Sequence, residues 1–416
     1  MIRLATVFSG IGAIEQSLLR LNVPHTIVFA CDNGDVELNL FDKGLQKEFK
    51  VLKTKRGKRT LTPEDQERLD ELSSLENNMA ETVLKTVQSM KTAKEKKEYI
   101  DSLYAKNGRK VNYVQKTYMT NYDIDPDDFH QDIRFLDGQD YRGKVDLLVG
   151  GSPCQAFSSV GAQLGLNDTR GTLFYEFARI VEETQPRVFI YENVRGLTTH
   201  DNGNTWQVIQ HIFQDVLNYE ITEPQLLNAA DYGIPQTRRR VFVVGIRKDQ
   251  KHLPFKYPSP IPLRFTMQDF LEENCAQGEF GYNEDGTIYA NKVKGQPDPR
   301  FILTDKVRDY VLCSGTKTFK TSTKTDLPIA RTLVKTMTQH HRAGVDNYIT
   351  VSGQGDNRTL RALTDRECLR LMGYPDTFKI VVSPPMVYRQ AGNSIVVDVM
   401  MAVVKEIINT GVFNLK

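Results

Sequence analysis

Five short apolar runs constrain the fold of this chain more than any other feature of its sequence. Each has the length of a β-strand, and several are followed by a segment whose apolar residues recur at helical spacing. Alternation of this kind favours an α/β fold built on one largely parallel sheet. The runs are "RLATVF" (3–8), "HTIVFA" (25–30), "VDLLVGG" (145–151), "RVFIYEN" (187–193) and "VFVVGIRKD" (241–249).

Composition places the chain among ordinary globular proteins. Its 416 residues suffice for two domains or for one domain with large insertions, and its 40% hydrophobic and 25% charged residues are typical of soluble proteins. A formal net charge of +2 leaves any basic surface local. The start lacks the apolar core of a secretory signal and no run reaches transmembrane length, so we expect a cytoplasmic protein without a membrane partner.

Cysteine usage also favours a reducing compartment. The cysteines are odd in number, widely scattered and free of any CxxC pair, which argues against a disulfide framework and against a zinc site. We therefore expect no bound metal, and a free thiol can act as a nucleophile in such a compartment. The five cysteines are Cys31, Cys154, Cys275, Cys313 and Cys368.

Changes of pattern along the chain predict three parts. The α/β alternation predicts a first domain over residues 1–249, interrupted at about 44–122 by an insertion whose leucines suggest one or two amphipathic helices. Residues 250–386 lose the regular periods and predict a smaller, irregular domain. The turn and apolar helix within 387–416 predict a return to the first domain.

Four polar features follow strands of this predicted sheet. They are the glycine turn "SGIG" (9–12), Asp32, Cys154 and Glu192, and this edge is where open α/β sheets bind ligands and carry out chemistry. Each alone also has an ordinary structural interpretation. The glycines suit any tight strand-to-helix turn, and Asp32 suits a helix N-cap. Cys154 suits a buried thiol, and Glu192 suits the start of a helix.

An ordered set of motifs decides between these interpretations. It resembles the motif set of the C5-cytosine DNA methyltransferases, especially the compact bacterial enzymes of restriction–modification systems. The resemblance covers the chain except for the insertion and the irregular domain. It implies a Rossmann-like S-adenosylmethionine-dependent methyltransferase domain with a smaller target-recognition domain. The motifs are "FSGIGA" (8–13), "GGSPCQAFS" (150–158), "DTRGTLFYEFARI" (168–180), "ENV" (192–194), "QTRRR" (236–240), "RALTDRECLRLMGYPD" (361–376) and "QAGNS" (390–394).

The resemblance implies a reaction that begins with attack by a cysteine. Cys154 would add as a thiolate to C6 of the target cytosine, which makes C5 nucleophilic toward the methyl group of S-adenosylmethionine. Glu192 would hold the cytosine N3 and amino group, Arg240 would contact the carbonyl oxygen, and Arg238 would support the same loop. These four residues form the implied catalytic set. Because C5 and C6 lie inside the duplex, the cytosine must be flipped out of double-stranded DNA.

The same resemblance implies residues for the cofactor and for DNA. Asp32 would accept from the ribose hydroxyls, Phe8 would stack beside the adenine, and Asp132 would contact the adenine edge. Thr332 would hold the backbone of the flipped nucleotide. The cofactor set comprises Phe8, Gly10, Gly12, Asp32, Asp132, Ile133, Pro153, Asn393 and Ser394, and the DNA set comprises Gln155, Asn193 and Thr332.

Two features depart from the family pattern. Thr6 stands where the family usually has an aspartate, and the insertion between Asp32 and Asp132 is much longer than in compact members. Residues 44–122 carry about 17 Lys and Arg against about 11 Asp and Glu. The insertion is therefore either a solvated helical hairpin packed on the core or an arm that contacts DNA phosphates.

Three functions stay open on the sequence alone. The leading one is a DNA cytosine-C5 methyltransferase that acts as a monomer, with a cognate restriction endonuclease as a candidate partner. An enzyme with the same motifs could instead methylate tRNA, although the irregular domain has a size suited to DNA recognition. A relative could also bind DNA without catalysis. The recognised DNA word depends on side chains of the irregular domain.

Overall fold

Three predicted site residues, Pro153, Cys154 and Gln155, lie outside the residues that the computed structural model describes. The described residues form a central sheet, helices on its two faces and a less regular region. The described ranges are 1–58, 60–106, 111–152, 173–315 and 322–413.

The described residues form one mixed sheet of eight strands. In chain order the strands are β1 (Ile2–Val7), β2 (His25–Cys31), β3 (Phe129–His130), β4 (Leu147–Gly150), β5 (Val188–Val194), β6 (Tyr219–Ile221), β7 (Gln225–Asn228), the separate short strand β8 (Gln236–Thr237) and β9 (Arg239–Arg247). Their spatial order is β3–β2–β1–β4–β5–β9–β6, and β7 also pairs with β9. The first five strands in this order are parallel, which confirms the predicted fold class.

The strand β9 runs antiparallel to β5, and this direction matters for the site. Its first residues lie beside the last residues of β5, with Arg240 opposite Val194 and Phe242 opposite Glu192. A parallel strand would instead bring its last residues to the carboxyl end of β5. The antiparallel pairing therefore places the arginine-rich segment "QTRRR" next to Glu192.

Helices cover both faces of the sheet. Side chains of β1, β4 and β5 alternate between two buried apolar clusters, one shared with the first and last helices and the other with the helix that precedes β5. The helices are α1 (Ala13–Arg20), α2 (Lys43–Gly57), α3 (Pro63–Ser89), α4 (Ala93–Lys106), α5 (Tyr113–Asn121), α6 (Leu173–Thr184), α7 (Asn204–His211), α8 (Asp305–Leu312), α9 (Asp365–Arg370), α10 (Pro384–Asn393) and α11 (Val397–Asn409).

The last helix lies against the first. The Ser17 hydroxyl donates to the carbonyl of Val397 at 3.1 Å, and Arg20 pairs with Asp398 at 2.8 Å. Both members of this ion pair are buried. The C-terminal segment is therefore tied to the helix that follows the glycine turn.

The described residues of the insertion form four helices, α2 to α5. The leucine-rich stretch forms the single helix α3, within the expected one or two, whereas α2, α4 and α5 were not expected. The segment "TPEDQERL" (62–69) predicts a helix start with Thr62 as the cap. The structure confirms it, because the side chains of Thr62 and Asp65 form a capping box and Pro63 occupies the first turn. A second cap, Asn112, starts α5. The leucine spacing lies within α3, so it gives no information about the helices on either side.

Short strand pairs hold the irregular region together. β10 (Phe280–Tyr282) pairs with β11 (Ile288–Ala290), and β13 (Tyr348–Ser352) pairs with β14 (Thr359–Ala362). The short strand β12 (Ala330–Arg331) runs parallel to β8. This last pairing joins the irregular region to the arginine-rich segment.

Candidate active site

The glycine turn and the acid at the end of β2 form one unit. The Asp32 carboxylate accepts hydrogen bonds from the backbone N–H of Gly10 at 2.9 Å and of Gly34 at 2.7 Å. Burial raises the pKa of this carboxyl group, and the two N–H groups oppose that rise. The next helix, α2, is capped by Asp42, so the helix-cap interpretation of Asp32 was wrong.

The two glycines of the turn serve different purposes. Both have positive φ, +55° at Gly10 and +81° at Gly12. A β-carbon at Gly12 would lie 2.1 Å from the ring of Tyr122, whose hydroxyl donates to the Gly12 carbonyl at 2.7 Å. A β-carbon at Gly10 would meet no described atom within 4 Å. Gly12 is thus required for packing, while Gly10 borders open space.

Thr6 holds the base of this turn. Its hydroxyl lies 2.8 Å from the hydroxyl of Ser9, which in turn accepts from the backbone N–H of Cys31 at 3.0 Å. Thr6 is 2% exposed. The residue that departs from the family pattern therefore links β1, the turn and β2 instead of facing solvent.

Glu192 and Arg240 form an ion pair at the carboxyl end of β5. Arg240 Nε lies 3.1 Å from Glu192 Oε1, and both side chains are largely buried. Burial raises the pKa of the Glu192 carboxyl group, while the charges of Arg240 and Arg238 act against the rise. Glu192 lies inside the strand, so the interpretation of it as a helix-start acid was wrong.

Gly151 and Ser152, which precede Cys154 in the chain, are held next to Glu192 and Asn193. A β-carbon at Gly151 would lie 2.7 Å from Glu192 Oε2 and 2.8 Å from the Glu192 carbonyl oxygen, so only glycine permits this approach. Asn193 donates from its side-chain amide to the carbonyl of Ser152 at 3.1 Å and to the hydroxyl of Tyr191 at 2.9 Å. The chain therefore leaves Ser152 held directly beside Glu192. Asn193 itself is 3% exposed, and its side-chain amide binds groups of the protein.

Arg238 acts as a clamp between distant segments. Its guanidinium donates to the backbone carbonyls of Leu333, Gly392 and Ser394 at 2.8–3.0 Å. These hydrogen bonds hold the loop that Arg238 was expected to support. The Thr332 hydroxyl donates to the carbonyl of Thr237, which places it at the same loop.

The other residues predicted to bind the cofactor lie in three places. Ile133 is buried in the apolar cluster against which Phe8 packs. The Ser394 hydroxyl lies 3.0 Å from that of Tyr374, whereas the neighbouring Asn393 is exposed. Asp132 follows β3, and its carboxylate is bound by Arg134 at 2.7 Å.

Sequence reasoning missed the side chains that support these residues from the insertion. Tyr104 on α4 donates to Asp132 at 3.0 Å, and Asn112 at the start of α5 donates to the Asp32 carbonyl at 2.7 Å. Tyr122 after α5 binds the glycine turn. Asn112 could have been predicted as a helix cap, because an asparagine there precedes a segment rich in aromatic residues. Nothing in the sequence marks Tyr104.

The described residues include no cluster of metal ligands: no group of three or more His, Cys, Asp and Glu side chains in them is arranged to hold a metal ion. No helix in the described ranges has both the length and the apolar character needed to cross a membrane.

Comparison with known proteins identifies the family. The sequence model of the C-5 cytosine-specific DNA methylase family matches residues 102–409. Type II methyltransferase M.HpaII of Haemophilus parainfluenzae is 31% identical over 71% of this chain and 80% of its own length. M.HhaI of Haemophilus parahaemolyticus is 32% identical over 69% of this chain and 82% of its own.

A solved structure supports the fold, although its sequence identity to this chain is low. The crystal structure of S. pombe Dnmt2 methyltransferase matches with a TM-score of 0.58 at 15% identity, covering 98% of this chain and 99% of that one. At this identity the match speaks for the fold alone. The family model and the Type II relatives show that the chain is an enzyme of the C-5 cytosine-specific DNA methylase family.

Proposed function

We propose that this protein transfers a methyl group from S-adenosylmethionine to C5 of a cytosine in double-stranded DNA. The observation that carries the proposal is the pair formed by Glu192 and Arg240, which stands beside Gly151, shortly before Cys154 in the chain. An acid and a guanidinium together can hold the hydrogen-bonding edge of a cytosine while a thiol approaches its ring. Family membership supports the same chemistry.

The residues at the glycine turn fit S-adenosylmethionine. Gly10 borders open space, and the Asp32 carboxylate is fixed beside it where ribose hydroxyls can donate to it. Phe8 and Ile133 share an apolar cluster, which suits the faces of an adenine ring. Ser394 and Asn393 would close the pocket from the C-terminal turn, with Pro153 on the catalytic side. When bound, S-adenosylmethionine supplies an electrophilic methyl group.

Cys154 is the proposed nucleophile. Its thiolate would add to C6 of the cytosine and make C5 electron-rich, so that C5 could take the methyl group with release of S-adenosylhomocysteine. Loss of the C5 proton would then restore the ring and expel the thiolate. Asn193 supports this step indirectly, because its bond to the Ser152 carbonyl holds the segment that enters Cys154. Gln155, next in the chain, is proposed to contact the DNA.

Glu192 is the proposed acid of the site. Because burial raises its pKa, the carboxyl group retains a proton to higher pH than an exposed glutamate and can hold N3 as negative charge develops in the ring. Arg240 stays charged and can hold the carbonyl oxygen of the base. The contact between Arg240 Nε and Glu192 Oε1 holds both groups at the same place before the base arrives.

The target cytosine would have to leave the duplex to reach these groups. Thr332 would hold the backbone of the flipped nucleotide, and Arg238 would keep its loop in place through the three-carbonyl clamp. We further propose a monomeric enzyme. The Type II designation of the relatives supports a restriction–modification system with a cognate endonuclease.

Methyl transfer to competing nucleic acids tests the proposal. Purified protein is incubated with tritiated S-adenosylmethionine and either duplex genomic DNA or total tRNA. We expect label in the duplex DNA and none in the tRNA, and bisulfite sequencing of the same DNA then gives the methylated word. Label in tRNA alone would support the RNA enzyme instead. Absence of label from both would support a non-catalytic relative, and either result would contradict the proposal.

A further inference from the structure

Helix α4 of the insertion runs along the edge strand β3 and fixes the direction of the helices around it. It begins beside the residues that precede β3, where Lys94 pairs with Asp127 at 2.9 Å. It ends beside the residues that follow β3, where the Tyr104 hydroxyl donates to the Asp132 carboxylate at 3.0 Å. α4 therefore leads from the amino end of β3 to its carboxyl end.

The first half of α3 extends past the carboxyl edge of the sheet. A short turn joins α3 to α4, and Val83 and Val87 of α3 share a buried cluster with Ile100 of α4, so the two helices are antiparallel. At 1.5 Å per residue, the 27 residues of α3 span about 40 Å and the 14 residues of α4 about 21 Å. About 20 Å of α3 therefore projects beyond α4. It projects at the sheet edge that carries Glu192 and Arg240.

The projecting half of α3 packs against α2 around an apolar core of its own. Phe49 and Leu52 of α2 are buried with Leu69 and Leu72 of α3. This cluster is separate from the two clusters of the central sheet and from the one that joins α3 to α4. The two helices therefore form an arm, residues 43–75, at the carboxyl edge.

The outer face of α2 is basic. Lys47, Lys50 and Lys58 follow one another at three and eight residues, which is the spacing of one helix face. Lys47 and Lys50 each lie two positions before a buried residue, Phe49 and Leu52, about 200° away around the helix. All three lysines are exposed and form no ion pair with the described residues. Together with Lys55, Thr54 and Thr60 they line an open groove.

The acids of the arm belong to α3. Asp65 pairs with Lys55 at 2.8 Å, and this contact joins the two helices beside the groove. Glu64, Glu67 and Asp70 are exposed near the start of α3. The two helices therefore present surfaces of opposite charge, and of these two the α2 face suits an anionic partner.

We propose that the outer face of α2 binds phosphates of the DNA backbone outside the recognised word. This inference rests on the proposed action on double-stranded DNA. The arm stands at the sheet edge of the site, but β3 is four strand spacings from β5, about 19 Å. The lysines would therefore meet phosphates beside the flipped cytosine and not the base itself. An ammonium group binds phosphate as a point charge, so this contact raises affinity without reading sequence.

Two triple variants compare lysines at opposite edges of the sheet. Binding of each protein to two duplexes that carry the methylated word is followed by fluorescence anisotropy during a salt titration. One duplex has long flanks and the other ends at the word. The α2 variant is Lys47→Gln, Lys50→Gln and Lys58→Gln. The control variant replaces three exposed lysines toward the amino edge, Lys85→Gln, Lys91→Gln and Lys144→Gln.

We expect the α2 variant to bind the long duplex roughly ten- to hundredfold more weakly at low salt. Its slope of log affinity against log salt should shrink by about two to three, because each lost phosphate contact removes about 0.9. On the duplex that ends at the word it should bind nearly as the wild type does. The control variant should keep the wild-type slope on both duplexes, and bisulfite sequencing should give one word for all three proteins.

Three results would overturn the inference. A wild-type slope in the α2 variant would show that this face is only solvated. An equal fall in the control variant would show an effect of net charge alone, and an equal loss on the duplex that ends at the word would place the lysines within it. Failure of the wild type to methylate either duplex would instead contradict the proposed function, so the two failures are distinguishable.

Discussion

The Asp32 carboxylate is held at the end of β2 by two backbone N–H groups, from Gly10 and Gly34. Each contact uses one of its oxygens, and each oxygen retains a further lone pair for a ligand. The same side chain therefore shapes the glycine turn and remains able to accept from a ribose. Neither contact alone would distinguish a structural acid from a cofactor acid.

Replacing Asp32 by asparagine tests the cofactor role, although the amide also keeps only one of the two oxygens that accept from Gly10 and Gly34. The amide keeps the size of the side chain but loses the charge that strengthens hydrogen bonds from ribose hydroxyls, a difference of about 1.5–3 kcal/mol. We expect S-adenosylmethionine binding to weaken roughly ten- to hundredfold by calorimetry. Asp35→Asn, at an exposed acid three residues away, is the matched control and should bind as the wild type does. Equal affinity of Asp32→Asn and the wild type would show that Asp32 is structural only.

The position of each arginine in the segment 236–240 depends on strand pairing. The run "QTRRR" alone does not say which arginine faces Glu192; only the family resemblance assigned Arg240 to the base and Arg238 to the loop. That choice depends on the register of β9 against β5, which sets Arg240 opposite Val194 and leaves Arg238 for the clamp. Register is fixed by pairing between segments far apart in the chain, so no local pattern contains it.

At the scale of elements, α1 and α5 meet at a buried acid. Glu15 on α1 is fully buried, and Tyr118 on α5 donates to its Oε1 at 2.5 Å. Its Oε2 has no hydrogen-bond partner in the described structure. Burial raises the pKa of Glu15 to about 7. The contact that joins the helix after the glycine turn to α5 is therefore sensitive to pH.

This shift predicts a dependence of stability on pH. Between the unfolded pKa near 4.5 and the folded pKa near 7, the folded protein retains a proton that the unfolded chain has lost. The contribution of Glu15 to folding stability therefore falls as the pH rises through this window. Glu15→Gln should remove the fall and gain roughly 2–3 kcal/mol relative to the wild type above pH 7. Denaturant unfolding at pH 5 and pH 8 measures it, and an unchanged difference between the two pH values would contradict it.

Most strands and helices of the catalytic part follow from local pattern, because buried parallel strands and amphipathic helices have distinct periods. The insertion does not follow in the same way. Two of its helices, α3 and α5, begin at the single capping side chains Thr62 and Asn112. Its attachment through Tyr104 and Lys96 depends on tertiary packing, which the sequence does not display. Whether its basic residues also contact DNA phosphates stays a prediction.

For the whole molecule, the sheet brings together groups from four separate stretches of chain. The glycine turn, Asp32, Glu192 and the start of β9 meet at one edge because four strands end or begin there. The irregular region joins this edge through the pairing of β12 with β8. The sequence predicted that the glycine turn, Asp32 and Glu192 share this edge, since parallel strands share their carboxyl edge. The start of β9 reaches the edge because β9 runs antiparallel to β5, which the sequence did not predict. No comparable rule predicts which side chains would contact DNA bases, so the DNA word does not follow.

The central claim is that Cys154 attacks C6 of a cytosine in DNA, and covalent trapping tests it most directly. Fluorine at C5 cannot leave as a proton does, so a duplex with 5-fluorocytosine in place of cytosine should hold the enzyme in a denaturant-resistant complex when S-adenosylmethionine is present. Cys313→Ala, at an exposed cysteine, is the matched control. We predict the complex with the wild type and with Cys313→Ala and its loss with Cys154→Ala, which should still bind S-adenosylmethionine. A complex formed by Cys154→Ala would contradict the account.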